Sequence, residues 1–148
     1  MELTKEEAQR IASRLALPAK AFIGGHFCDA ADGATFETIN PANAQVIANV
    51  AHCTGTDVDQ AVTAARRSFN DGRWSRAEPE YRKKILLRLA ALIRENTAEL
   101  AVLESLDSGK TITDCLHEIG NEVADHFQWY AELADKTFGK VAPTGEEA

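Results

Sequence analysis

Leu103-Glu104-Ser105-Leu106-Asp107-Ser108-Gly109-Lys110-Thr111 is the stretch whose reading decides the fold. Leucines at 100, 103 and 106 predict a helix from about Thr97 to Leu106 with those three side chains inward. Ser108-Gly109 stops it, because glycine accepts the left-handed conformation that closes a helix. The end of the stretch imitates a phosphate-binding loop, Ser-Gly-Lys-Thr. That motif needs a glycine five positions before Gly109, where Glu104 stands, and it follows a strand, whereas here a helix precedes it. A nucleotide loop is thereby excluded, and the flanking segments are read as helices.

C-terminal to this turn, Ile112, Cys115, Leu116, Ile119, Val123, Phe127, Tyr130, Ala131 and Ala134 recur at helical spacing. They predict one long helix, ended by Gly139 and Pro143. N-terminal to the turn, Tyr81, Ile85, Leu86, Leu89, Leu92 and Ile93 form a strong stripe. Trp74-Ser75 opens that helix, with Pro79 in its first turn. Before it, Thr56 is read as an N-cap with Asp59 three residues on, and Val58, Ala61, Val62, Ala65 and Phe69 as one face. Asp71-Gly72 stops this helix. Residues 21–51 have a period of two: Ala21-Phe22-Ile23, His26-Phe27-Cys28, Thr35 to Ile39 and Val46 to Val50 predict a hairpin plus one further short strand. Residues 1–18 read as a helix with Thr4 before Glu6 and Glu7, closed by Pro18. The helical region spans 56–138. Helix, small β unit and four helices leave a puzzle, because the β unit is too small to be the sheet that those helices would cover.

The 148 residues carry 16 Lys+Arg against 23 Asp+Glu, a net charge of −7, with 45% hydrophobic and 26% charged residues. This is globular composition. The negative balance argues against nucleic-acid binding, which needs a basic surplus. Ile85–Ile93 is short and contains Arg88, so no membrane span is expected. MELTKEEAQR is too polar for a signal peptide. Three cysteines without CxxC spacing suit reduced thiols in a cytoplasmic protein.

Other candidate chemistry weakens on inspection. His117-Glu118 lacks the second histidine of a zinc motif, since residue 121 is Asn121, and His126 lies nine residues from His117. No GxGxxG is present. Cys28 alternates with His26 on a strand, Cys115 lies on an apolar stripe, and Cys53 has no evident base. Asp114, Glu118, Glu122 and Asp125 line a helix as a solvated face, without the Glu-x-x-His unit of a carboxylate metal site.

The order of the segments carries a resemblance. Phe22-Ile23-Gly24-Gly25, Phe36-Glu37-Thr38-Ile39-Asn40-Pro41-Ala42, Asp57 to Ala65, the pattern Trp74…Pro79…Arg82, Leu103 to Lys110, and Trp129-Tyr130-Ala131 follow one another. The chain resembles the N-terminal part of the aldehyde dehydrogenase superfamily, with its FxTxNPA and LExxDxGK signatures, from about Ala21 to Thr144. It is most similar to the betaine-aldehyde and gamma-glutamyl-aminobutyraldehyde dehydrogenases. Many members have proline after the signature lysine, where this chain has Thr111.

The resemblance implies an α/β family fold represented only by its N-terminal part, an incomplete nucleotide-binding domain over 1–148 whose helices cover a Rossmann-type sheet. It implies NAD or NADP and a small-molecule aldehyde for the intact family. The catalytic cysteine, glutamate and main cofactor contacts lie beyond the matched region, so no catalytic or cofactor-binding residue is assigned. The chain alone is expected to be inactive, to bind no nucleotide, and to self-associate or aggregate, whereas the intact family is homo-oligomeric. Some relatives hold a structural monovalent cation, K+ or Na+, and by motif position Thr38, Ile39 and Asp107 would supply its oxygens. The competing reading is that Asp107 simply caps or hydrogen-bonds near the Gly109 turn. The alternative to an oxidoreductase is a non-enzymatic helical module that buries its apolar faces on a partner.

Overall fold

The computed structural model describes residues 2–136 and Gly139. Helix α1 is Lys5–Ala12, and Thr4 caps it: the Glu7 N–H donates to Thr4 Oγ1 and the Glu7 carboxylate accepts from the Thr4 N–H at 2.8 Å. The helix ends well before Pro18, correcting the expected span. Ser13 forms its C-cap, and its hydroxyl donates to the Arg10 carbonyl.

The β unit is two separate antiparallel hairpins, where a hairpin plus one strand is expected. Strands β1 (Ala21–Ile23) and β2 (His26–Cys28) pair Phe22 with Phe27, whose rings lie 5.1 Å apart. Their turn, Gly24-Gly25, has positive φ at both residues, which glycine adopts without a Cβ clash. Strands β3 (Thr35–Ile39) and β4 (Val46–Ala51) pair with a bulge at Thr38/Ile39. The last run therefore has a partner in the preceding strand rather than standing alone.

Helix α2 is Gly55–Asn70, α3 is Pro79–Glu95 and α4 is Thr97–Ser108. Two starts differ from expectation. The N-cap of α2 is Thr54 rather than Thr56, because the Asp57 carboxylate folds back onto the Thr54 N–H at 2.7 Å. Trp74-Ser75 lies in a turn, and α3 begins at Pro79, whose missing N–H costs nothing in the first turn. Gly109 closes α4 in the left-handed conformation, as expected.

The long final helix is divided. Helix α5 (Ile112–His117) passes into a π-helical segment, Glu118–Val123, and then α6, Ala124–Leu133. It ends before Gly139, and Pro143 lies outside the described residues. Gly120 sits in the π segment where a Cβ would come within 3.0 Å of Thr97 Cγ2. Thr97 is itself buried and held by its hydroxyl to the Ile93 and Arg94 carbonyls. The widened turn accommodates this close approach.

Helices α3 and α6 make the most intimate contact of the fold. Their buried residues are Ala90, Ala124 and Ala131, small enough for close approach. Arg94–Asp125 at 2.6 Å and Lys83–Asp135 at 2.8 Å bracket the pair, fixing it as antiparallel. A second cluster joins Ala101, Cys115 and Leu116, with Leu3 and Ile112 against it. In α4 the buried residues are Thr97, Ala101 and Val102, while Leu100 stays exposed, shifting the predicted inward face.

The buried core is thin, and large apolar side chains remain outside it. Phe22, Val58, Val62 and Phe69 are exposed along the β1–β2 and α2 region, as are Tyr81, Ile85, Leu89 and Leu92 on α3 and Trp129 and Tyr130 on α6.

Candidate functional site

The two signature segments meet in space. Strand β3 carries Thr38, the last turn of α4 carries Asp107, and the Thr38 hydroxyl donates to Asp107 Oδ1 at 2.7 Å. A few residues on, Gly109 faces Pro41 so closely that a Cβ on Gly109 would lie 2.8 Å from Pro41 Cγ. The Asn40-Pro41-Ala42 turn, locked by the Ala42 N–H donating to Asn40 Oδ1, is thus seated on the Gly109 turn. Ile39 adjoins Thr38 across the β-bulge, which bends the strand at this point.

The Gly109 turn is closed by other groups. The Gly109 N–H donates to the Ser105 carbonyl at 3.1 Å, Ser105 Oγ to the Lys110 carbonyl at 2.7 Å, and the Lys110 N–H to Ser108 Oγ at 3.2 Å. Asp107 accepts from the Thr38 hydroxyl beside this turn and bridges to the strand. Lys110 reaches Glu118 at 2.5 Å, and this hydrogen-bonded partner raises the lysine pKa. With that commitment and the helix before it, the segment has no resemblance to a phosphate loop beyond its letters.

Sequence reasoning missed Asp57. Only 3% of it is exposed, and its carboxylate accepts from the Ala31 N–H at 2.8 Å, the Thr54 N–H at 2.7 Å and the Thr54 hydroxyl at 3.0 Å. It ties the connection between the hairpins to the start of α2. The Thr54 N–H bond is the largest cause of its lowered pKa. The available signal was the Thr54-x-x-Asp57 spacing of a capping box, which the equivalent Thr56-x-x-Asp59 spacing obscured.

The remaining candidates have structural roles. Cys115 is wholly buried, and desolvation pushes its thiol up. Desolvation and then Asp57 push the Cys53 thiol up as well. Cys28 Sγ faces the Ala21 carbonyl at 3.6 Å. The four helix carboxylates disperse: Asp114 accepts from Thr111 Oγ1, Glu118 holds Lys110, Glu122 faces His117 at 3.3 Å, and Asp125 holds Arg94. His126 meets the Glu122 carbonyl. Among the described residues, no three His, Cys, Asp or Glu side chains gather as a metal site.

A nicotinamide dinucleotide does not fit the described residues. Its pyrophosphate needs a helix N-terminus free to receive an anion behind a glycine-rich turn. Here α1, α2, α3 and α4 carry Glu7, Asp57, Glu80 and Glu99 in their first turns. The Thr38–Asp107 pair presents a hydroxyl and a carboxylate, both hard oxygen groups.

The profile of the aldehyde dehydrogenase family matches residues 27–148. The chain is 49% identical over 146 residues to the aminoacetaldehyde dehydrogenase of Pseudomonas aeruginosa, covering 99% of this chain and 29% of that protein. It superposes on the indole-3-acetaldehyde dehydrogenase of P. syringae, solved with NAD+ and IAA, with a TM-score of 0.94 and 39% identity, over 98% of this chain and 29% of that one. It matches the gamma-glutamyl-gamma-aminobutyraldehyde dehydrogenase of Burkholderia cenocepacia with a TM-score of 0.93 and 43% identity, over 97% of this chain and 29% of that structure. The chain thus spans less than a third of the length of these relatives.

Proposed function

Because the chain belongs to the aldehyde dehydrogenase family, we propose that it serves as the N-terminal covering layer of an enzyme that oxidises an aldehyde to a carboxylate with NAD or NADP. The balanced reaction takes RCHO, H2O and NAD+ to RCOO−, NADH and two protons. No step of this reaction is assigned to the described residues. Their part is structural: they present apolar helix faces to a nucleotide-binding scaffold and place the 36–42 and 103–110 segments against each other.

The observation that carries this reading is the uncovered apolar surface. Tyr81, Ile85, Leu89 and Leu92 lie along one side of α3 while Ala90 packs on the other. Full burial of such a side chain contributes roughly 1.5–3 kcal/mol, and these part-covered ones forgo a fraction of that each. A self-sufficient interaction module would close more of this surface on itself. Homo-oligomerisation of the intact enzyme, self-association of the chain alone and a cytoplasmic setting belong to the same reading. The setting is supported by three free cysteines.

The experiment is an aldehyde-dependent NADH assay on the purified 148-residue chain, alone and mixed with a polypeptide supplying the rest of a relative's length. No turnover alone and turnover in the mixture is the expected outcome. Turnover by the chain alone overturns the assignment to a covering layer.

The Thr38–Asp107 contact supports a second element of the proposal. Thr38, Ile39 and Asp107 would hold K+ or Na+, with the carboxylate supplying the charge and the neighbouring strand the neutral oxygens. Bound there, the ion would fasten β3 to α4 and take no part in chemistry.

A further inference from the structure

The basic end of α2 is not used by anything described above. We propose that the groove between the β1–β2 turn and α2 binds a small organic carboxylate, with Arg67 as the anion-binding group. The groove is an open cavity of about 530 Å³, with Phe22, Ile23 and Ala61 offering an apolar wall and Ser68 and Arg67 the polar one. That volume lies within the range of about 300–1,000 Å³ found for small-molecule pockets.

Charge decides what fits. Arg73 is committed to Asp71, which it meets through both Nε and a terminal nitrogen. Arg66 lies over the Phe69 ring at 6.0 Å. Among the described residues, no hydrogen bond or ion pair engages the Arg67 guanidinium, which borders this groove and the neighbouring one. A planar fork with free donors matches a carboxylate in two-point geometry. Phe22, 64% exposed, stands ready to cover an apolar tail. A bare inorganic anion would leave that wall wet, and a neutral ligand would leave the guanidinium unanswered.

Equilibrium dialysis of the full 148-residue chain against labelled phenylacetate tests this directly, and it works whatever the association state. Retention is expected at millimolar concentration, with phenylacetamide, the uncharged counterpart, held about tenfold more weakly or worse. Arg67→Ala should lower retention by a similar factor, about tenfold, while Arg67→Lys keeps part of it as a point charge. Alanine on an exposed helix face preserves the helix, and Arg14→Ala, at a different surface, should change nothing. Absence of retention, equal retention of acid and amide, or full displacement by equimolar inorganic phosphate would each overturn the proposal. None of these outcomes bears on the family assignment.

Discussion

Thr38 and Asp107 are 69 residues apart in sequence and 2.7 Å apart in space, hydroxyl to carboxylate, at the point where a two-stranded ribbon meets the end of a helix. Replacing Thr38 with valine keeps the shape and removes the donor, and should cost roughly 0.5–1.5 kcal/mol by chemical denaturation. If a monovalent cation sits there, the chain melts higher in potassium or sodium chloride than in choline chloride at equal ionic strength, and Asp107→Asn abolishes the difference. An equal melting temperature in all three salts would remove the cation from the reading.

Gly109 offers a sharper test of how the two signature segments meet. Its φ is +77°, and a Cβ would strike Pro41. Gly33 has a comparable φ of +72° with open space around it. Gly33→Ala should therefore cost only the left-handed penalty, roughly 1–2 kcal/mol. Gly109→Ala should cost more, and the excess should shrink when Pro41→Ala is added. Equal losses at the two glycines would mean that the Pro41 contact is not made.

Asp57 should make stability depend on pH. Its folded pKa lies below the ordinary value of 3.8, chiefly through the Thr54 N–H and with help from Ala31. The sign follows from linkage: the contribution is complete above the unfolded value and is lost as pH falls through the lower folded one. Asp57→Asn should flatten the acid limb of the stability curve and lower the thermal midpoint by several degrees near neutrality. An unchanged acid limb in the variant would place the pH dependence elsewhere.

Gly120→Ala would gain up to about 1 kcal/mol of helix propensity at an ordinary position. Here the added methyl meets Thr97, whose hydroxyl is pinned to two carbonyls and cannot swing aside. The net effect should be destabilising, and Thr97→Ser, which removes the opposing methyl, should rescue it. A stabilising Gly120→Ala would show that the π segment relaxes freely.

The bare face of α3 predicts solution behaviour. Ile85→Glu and Leu89→Glu together should reduce hydrophobic-dye binding and concentration-dependent association, measured by sedimentation, with little change in unfolding midpoint. Both side chains are already exposed, so charge there removes stickiness rather than core. Loss of cooperative unfolding in the double variant would mean that these residues are interior.

The sequence by itself determined the element types, because periodicity records which side of each segment is apolar. It located the stop at Gly109, the turn at Gly24-Gly25 and the family resemblance through the order of motifs. It misplaced the start of α2, since two Thr-x-x-Asp spacings overlap and only the contact with Ala31 selects Asp57. It ran the last helix past Leu133. It also missed the π segment, because the contact of Thr97 with Gly120 comes from a different helix. Tertiary structure alone decided that Thr38 meets Asp107 and that Pro41 rests on Gly109. Those pairings are long-range, and local patterns of hydrophobicity carry no information about which distant segment closes a contact.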